Sequence, residues 1–226
     1  MAKYELSIIL PCLNEELTLE DTIKSINKYL TRSKVKAEII VVDNNSNDHS
    51  KEIALRNHTK VITCPIRGYG SALRFGINNA TGKYIIIGDA DNTYDFAHID
   101  LFMEKLRAGY YLVVGNRYLA KDFKKNTSIS HYYGVKFLSN IAKHKYQVPI
   151  NDFHCGLRGF NTQIVKSLNF TTTGMEFATE SIAKFSPYKD KIIEVPTSLK
   201  KANPKRKSHL RTIRDGFRHL IYIINN

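Results

Sequence analysis

Tyr84-Ile85-Ile86-Ile87-Gly88-Asp89-Ala90-Asp91-Asn92-Thr93-Tyr94-Asp95 is the stretch on which the fold turns. Its apolar start reads as a buried strand, which delivers two carboxylates, one residue apart, to its C-terminal end. In an open α/β sheet that end is where ligands bind. Paired carboxylates there suit Mg²⁺ or Mn²⁺, hard cations that bridge carboxylate and diphosphate oxygens. A cation so held offsets charge on a departing diphosphate. Asp-x-Asp after a strand is also an ordinary turn sequence, so its meaning depends on its surroundings.

Outward from that stretch, strand and helix alternate. Leu6–Leu10 and Glu38–Val42 read as buried strands, the first stopped by Pro11, the second ending at Asp43. Between them Leu19, Ile23, Ile26 and Leu30 recur at helical spacing over Glu16–Leu30, with Asn14 or Thr18 as cap. Asp48–Arg56 reads as a helix and Val61–Cys64 as a strand before Pro65. Gly68-Tyr69-Gly70 then opens a helix running to about Ala80. Beyond the acidic triplet come a helix over Phe96–Ala108 and a strand over Tyr111–Val114. This alternation predicts an α/β fold with a mainly parallel sheet covered on both faces. After Gly115 the rhythm breaks. Helices are expected over Ser130–Tyr146 and Met175–Phe185, strands over Gly156–Phe160 and Ile192–Val195, and a basic amphipathic helix over Ser208–Ile224 with Ser208 as cap. With no repeat or linker in view, residues 1–226 read as one domain.

The 226 residues suffice for a substantial core, and 42% hydrophobic residues argue against disorder. Lys+Arg of 34 against Asp+Glu of 21 gives a net charge of +13. That excess suits phosphorylated substrates, an anionic membrane or nucleic acid; no nucleic-acid-binding motif is present, so the last is set aside. Cys12, Cys64 and Cys155 lack metal-like spacing and read as reduced core thiols of a cytoplasmic protein. The chain enters a strand almost at once, so no signal peptide is expected. No apolar run reaches the ~18 residues of a membrane span.

Four strand ends supply polar residues to one cleft: Pro11-Cys12-Leu13-Asn14-Glu15, Asp43-Asn44-Asn45-Ser46, Arg67-Gly68-Tyr69-Gly70 and Asp89-Ala90-Asp91. In these the chain resembles glycosyltransferase family 2, the inverting nucleotide-sugar enzymes of the GT-A fold, a Rossmann-like nucleotide-sugar-binding fold, from Leu6 to about Leu220. Gly115-Asn116-Arg117-Tyr118, the run from Asp152 to Phe160, Gly174-Met175-Glu176-Phe177-Ala178-Thr179-Glu180 and the run from Ser208 to Leu220 sharpen the likeness. Together these motifs resemble the polyprenyl-phosphate hexosyltransferases, similar to dolichyl-phosphate glucose and mannose synthases.

The resemblance implies inverting transfer of a hexose from a nucleoside diphosphate sugar, a UDP-sugar favoured, to a polyprenyl phosphate, with Mg²⁺ or Mn²⁺ as cofactor. It makes Asp91 and Asp89 metal ligands, with Asp89 alternatively on the ribose, and Asp43 a partner of base or ribose. Pro11, Asn14 and Glu15 would shape the nucleotide pocket. Gly68 and Gly70 would let the backbone approach a ligand, and Arg74 would reach phosphate or lie on the surface. Asp152, Glu176 and Glu180 are candidates for sugar hydroxyls or for a base, with Arg158 holding Asp152. A base is needed for a hydroxyl acceptor and not for a phosphate, which is already an anion. Arg117 would bind the acceptor phosphate, its fork suiting phosphate better than an ammonium does. Relatives usually carry an Arg beside the start of the next helix; here His131-Tyr132-Tyr133-Gly134 stands there, so that either His131 and Lys136 take over its charge or the acceptor differs. Arg206 and His209 would contact phosphate from a mobile basic loop, residues 200–207, that closes over the substrates. The helix over Ser208–Ile224 would either lie on an anionic membrane, placing the protein at the cytoplasmic face, or pack on its own domain. The alternatives are a soluble family 2 enzyme with a hydroxyl acceptor and a non-catalytic nucleotide-sugar-binding module.

Overall fold

The computed structural model describes residues 3–120, 129–201, 203–206 and 211–226, without the side chains of residues 129–131, 212 and 213. Strands β1 (Tyr4–Cys12), β2 (Ala37–Asp43), β3 (Lys60–Thr63), β4 (Gly82–Ile87), β5 (Leu112–Asn116), β6 (Arg158–Asn161) and β7 (Ile192–Pro196) form one sheet in the order β3-β2-β1-β4-β6-β5-β7. All neighbours are parallel except β6, which runs antiparallel between β4 and β5. The apolar runs are buried on both faces, as a sheet covered by helices requires: Ile8, Ile9, Ile85, Ile86 and Val113 are fully enclosed.

The chain leaves β1 towards β2 and β3, then returns to β4 on the other side of β1. That reversal opens a crevice between the C-terminal ends of β1 and β4. Pro11 does not stop β1, which continues to Cys12. Pro11 lies past the last residue of β1 paired with β4, where a missing N–H is tolerated.

The helices are α1 (Leu19–Ser33), α2 (Ser50–Arg56), α3 (Tyr69–Asn79), α4 (Asp100–Arg107), α5 (Ile129–Tyr146), α6 (Thr162–Ser167), α7 (Phe177–Ala183) and α8 (Thr212–Asn225). Thr18 precedes α1 but its side chain caps nothing; its hydroxyl, with that of Thr22, turns to the carbonyl of Ala90 at 3.1 Å. The acidic triplet is thus tied to α1. The helix expected from Phe96 is split, with a short 3₁₀ turn over Phe96–His98 capped by Asp95 before α4. Ser208 lies outside the described residues; Arg211 occupies the cap position of α8, and its N–H donates to the Asp215 carboxylate at 2.8 Å. Among the described residues, no helix is long and apolar enough to cross a membrane.

Candidate active site

A cleft of about 960 Å³ lies over the crevice between β1 and β4. Pro11, Leu13 and Glu15 enter it from β1 and the loop after it, Asn44 from the end of β2, Tyr69 from the start of α3, and Asp89 and Asp91 from the end of β4. Arg117 follows β5, and α8 closes the far wall with Arg211, Arg214, Arg218 and His219.

Asp89 sits at the floor. The Tyr69 hydroxyl donates to its Oδ1 at 2.9 Å. Gly156 passes so close that a Cβ there would lie 2.9 Å from Asp89 Oδ2, and its N–H is held by Tyr94 Oη at 2.7 Å. Burial, then the neighbouring Asp91 charge, push the Asp89 carboxyl up to about 7. Asp91 Oδ1 accepts from Thr93 N at 3.0 Å and from its hydroxyl at 2.5 Å. Asp91 Oδ2 faces Arg206 Nη1 at 3.2 Å. The pair is therefore short of positive charge at Asp89 and covered by a guanidinium at Asp91, which is the chemistry of a site suited to a hard divalent cation. Among the described residues no group of three or more His, Cys, Asp or Glu could hold a metal ion. The protein thus offers two carboxylates, and phosphate and water would complete the shell.

Arg117 and Asp152 form a closed pair. Arg117 Nε and Nη2 donate to Asp152 Oδ2 and Oδ1 at 2.8 and 2.7 Å, and the Arg117 backbone N–H donates to Oδ2 at 3.0 Å. Burial works against the charge on Arg117, and the Asp152 carboxylate overcomes it, holding the guanidinium above its ordinary range. Glu194 braces this pair, accepting from the N–H groups of Asn151 and Asp152 and from the side-chain amides of Asn116 and Asn151. Arg117 lines the cleft; Asp152, fully buried, does not. Arg158 does not touch Asp152. It lies fully buried and donates to the carbonyls of Phe153, Cys155 and Ala178 and to the Ser181 hydroxyl, tying β6 to α7.

Several residues expected in the cleft lie behind it. Asn14 accepts from Asn47 N at 2.7 Å and staples the loops after β1 and β2. Asp43 sits at the end of β2, opposite Cys12, and accepts from Ser46 N. Gly70 faces no cavity: a Cβ would meet the carbonyls of Thr172 and Gly174 at 2.8 and 2.9 Å. Gly68, at φ +134°, does line the cleft, though a Cβ there would run into Thr173 O. Both glycines make room for the 171–174 loop, and Thr173 O accepts from Ser71 N. Arg74 reaches Thr171 O at 2.9 Å, outside the cleft. Glu180 anchors the same loop with both oxygens on Thr171 and Thr172. Glu176 is clamped by Arg218 at 2.6 and 2.7 Å. Lys136 is exposed on α5 while its neighbours Val135 and Phe137 line the cleft. The His131 side chain and His209 lie outside the described residues. Cys12 and Cys155 are buried, with thiols pushed up to about 12 by burial, so neither is a nucleophile.

The basic segment does not stand off in solvent at its described positions. Lys200 Nζ is 3.3 Å from Asp95, and Arg206 Nε donates to Glu15 Oε2 at 2.6 Å. Glu15 is thus Arg206's holder. Sequence reading also missed Tyr69 as the support of Asp89, Asn44, whose Oδ1 accepts from Gly68 N at 2.7 Å, and a histidine pair. His154 and His219 meet edge to face at 4.4 Å on the wall, His219 bonded to Thr179 and lowered to about 4 by burial. Tyr69 lay inside a quoted motif, but its glycines drew the reading.

The family model described as Glycosyl transferase family 2 matches residues 7–168, the span that carries β1 to β6 and both cleft carboxylates. The chain belongs to glycosyl transferase family 2. Among members of the family it is similar to the low-salt glycan biosynthesis hexosyltransferase Agl6 of Haloferax volcanii, 30% identical over 224 residues, covering 98% of this chain and 53% of that protein. A dolichyl-phosphate hexose transferase of the same organism is 23% identical over 172 residues, covering 76% of this chain and 73% of that one. The chain spans about half the length of the first of these relatives. Glucosyl-3-phosphoglycerate synthase of Mycobacterium tuberculosis, solved with phosphoglyceric acid, shares the fold at a TM-score of 0.77 and 20% identity, covering 98% of this chain and 79% of that one. The same enzyme solved with Mn²⁺, UDP-glucose and glycerol 3-phosphate matches at a TM-score of 0.75. The family 2 fold is thus GT-A here, as expected, with β6 the antiparallel member of the sheet.

Proposed function

We propose that this family 2 protein transfers a hexose from a UDP-sugar to a polyprenyl phosphate, with inversion and with a divalent cation at Asp89 and Asp91. The observation that carries the acceptor is the state of the carboxylates that a hydroxyl acceptor would need as base. Asp152, Glu176 and Glu180 each have both oxygens engaged by donors. A phosphate acceptor needs no base, because its oxygen is already anionic. The far wall is cationic, with Arg117, Arg206, Arg211 and Arg214 facing the cleft, as a phosphate requires. Mn²⁺ and UDP-glucose are bound by the mycobacterial enzyme of the same fold, and a dolichyl phosphate figures in the name of one relative. These support the donor and acceptor chosen here.

A bound cation would neutralise charge on the leaving diphosphate. The chain's own residues do the rest. Tyr69 and Gly156 fix Asp89, and Asp152 fixes Arg117 at the cleft edge, where it orients the acceptor phosphate for in-line attack on the anomeric carbon. The rim suits a lipid. Helix α8 turns Asp215, His219 and Ile223 inward and leaves Phe217, Ile221 and Ile224 exposed; Tyr133 and Phe137 of α5 are exposed as well. Apolar side chains among arginines fit a docking surface for an anionic membrane at its cytoplasmic face.

The test is product analysis. Purified protein with Mn²⁺ is incubated with UDP- and GDP-sugars, each with and without a short polyprenyl phosphate. The expected product is a β-linked hexosyl phosphate from an α-linked UDP-sugar, formed only with the lipid phosphate. Transfer to a hydroxyl acceptor, lost in Asp152→Asn with donor binding intact, would overturn the proposal.

A further inference from the structure

Arg206 bridges the two sides of the crevice. Its Nε and Nη2 grip Glu15 Oε2 and Oε1, at the end of β1, at 2.6 and 2.5 Å. Its Nη1 lies 3.2 Å from Asp91 Oδ2, beyond the end of β4. The other Asp91 oxygen is committed to Thr93. Among the described residues, then, the Asp91 oxygen open to a cation is the one the guanidinium covers. The preceding segment is fastened to the same loop. Leu199 bridges to Tyr94, Lys200 N donates to Thr93 O at 2.8 Å, and Lys200 Nζ pairs with Asp95.

A guanidinium cannot give way by losing its proton. It and a divalent cation on the same carboxylate oxygen repel, and at the floor of a cleft little solvent screens them. We infer that Arg206 serves as counter-ion of Asp91 and Glu15 until a divalent cation binds at Asp91, and that the cation expels it. The expelled guanidinium is then available to the phosphate-bearing ligands above, so cation loading repositions Arg206 and the described residues beside it, 203–205. Before the cation binds, Arg206 keeps Asp91 paired and lowers its affinity for the metal. The inference rests on the reading of Asp91 as a cation ligand.

Mn²⁺ binding to the full chain, without nucleotide or acceptor, tests it, by electron paramagnetic resonance of the free ion. Arg206→Gln is expected to bind Mn²⁺ roughly tenfold more tightly than the unaltered protein, within the usual range of a coupling between two competing groups. Arg206→Lys, which keeps the charge but lacks the fork, is expected to fall between them. In a parallel titration with Mg²⁺, the Nε–H resonance of Arg206, identified by its absence from Arg206→Gln, is expected to move. Unchanged Mn²⁺ affinity in Arg206→Gln with an unmoved resonance overturns the inference, even while Asp91→Ala abolishes binding. Mn²⁺ binding that survives Asp91→Ala overturns the cation site itself and the inference with it.

Discussion

Among the arginines that face the cleft, Arg117 and Arg206 are both paired with carboxylate, and their settings differ. Arg117 is locked on Asp152, whose surroundings are dry and braced by Glu194. Arg206 spans Glu15 and Asp91 at the cleft edge, with its side chain partly exposed. The first pair stays closed whatever binds, because opening it would strand a charge without solvent. The second holds the cleft together only while nothing else supplies positive charge. One fold thus holds a fixed cationic group and a replaceable one.

The comparison can be broken at four places. The largest effect is expected at Asp91→Ala, which removes the carboxylate that pairs with Arg206 and that the proposed cation would use; turnover should fall by a factor of roughly 10³ or more, the scale of losing one electrostatic stabiliser. Steady-state release of UDP measures it. Next, Asp152→Asn leaves Arg117 buried without its counter-charge and should destabilise the domain by about 3 kcal/mol, whereas Glu15→Gln, at the cleft edge, should cost about 1 kcal/mol or less. Urea unfolding compares them; equal losses would erase the distinction between the two pairs.

The third concerns pH. The Asp89 carboxyl, raised to about 7, keeps a proton in the folded protein that the unfolded chain has released. Stability contributed by that bound proton is full below the unfolded value near 4 and declines as pH rises through about 7. Asp89→Asn should therefore melt higher than the unaltered protein at pH 8, by about 2–4 °C for each kcal/mol recovered, and no higher at pH 4. Mn²⁺ affinity of the unaltered protein should climb over the same interval, since the ligand must lose its proton. The smallest stability effect is expected at the rim: Phe217→Ser should change folding by about 0.5 kcal/mol or less, yet weaken sedimentation with anionic vesicles.

Much of the fold was legible. The apolar runs at β1, β2 and β4 and the spacing of α1 come from local patterns that burial preserves, so strands and helices fell within a few residues of their expected bounds. The direction of β6 was not legible, because an isolated short strand carries no sign of its partners. The paired carboxylates at the end of β4 were legible because strand direction fixes where they emerge. Their supports were not. Tyr69 reaches Asp89, and Gly156 and the 171–174 loop reach residues 68–94, only through folding, so the room that Gly68 and Gly70 make for backbone could not be read from their spacing. Arg158 stood close to Asp152 in sequence, yet Arg117, 35 residues away, took the carboxylate.

The most direct test is UDP release with Mn²⁺ and a UDP-sugar, titrated with a short polyprenyl phosphate, for the unaltered protein and Asp91→Ala. The account predicts release that saturates with the lipid phosphate and is lost in Asp91→Ala. Release indifferent to the lipid phosphate, or retained in Asp91→Ala, would contradict it.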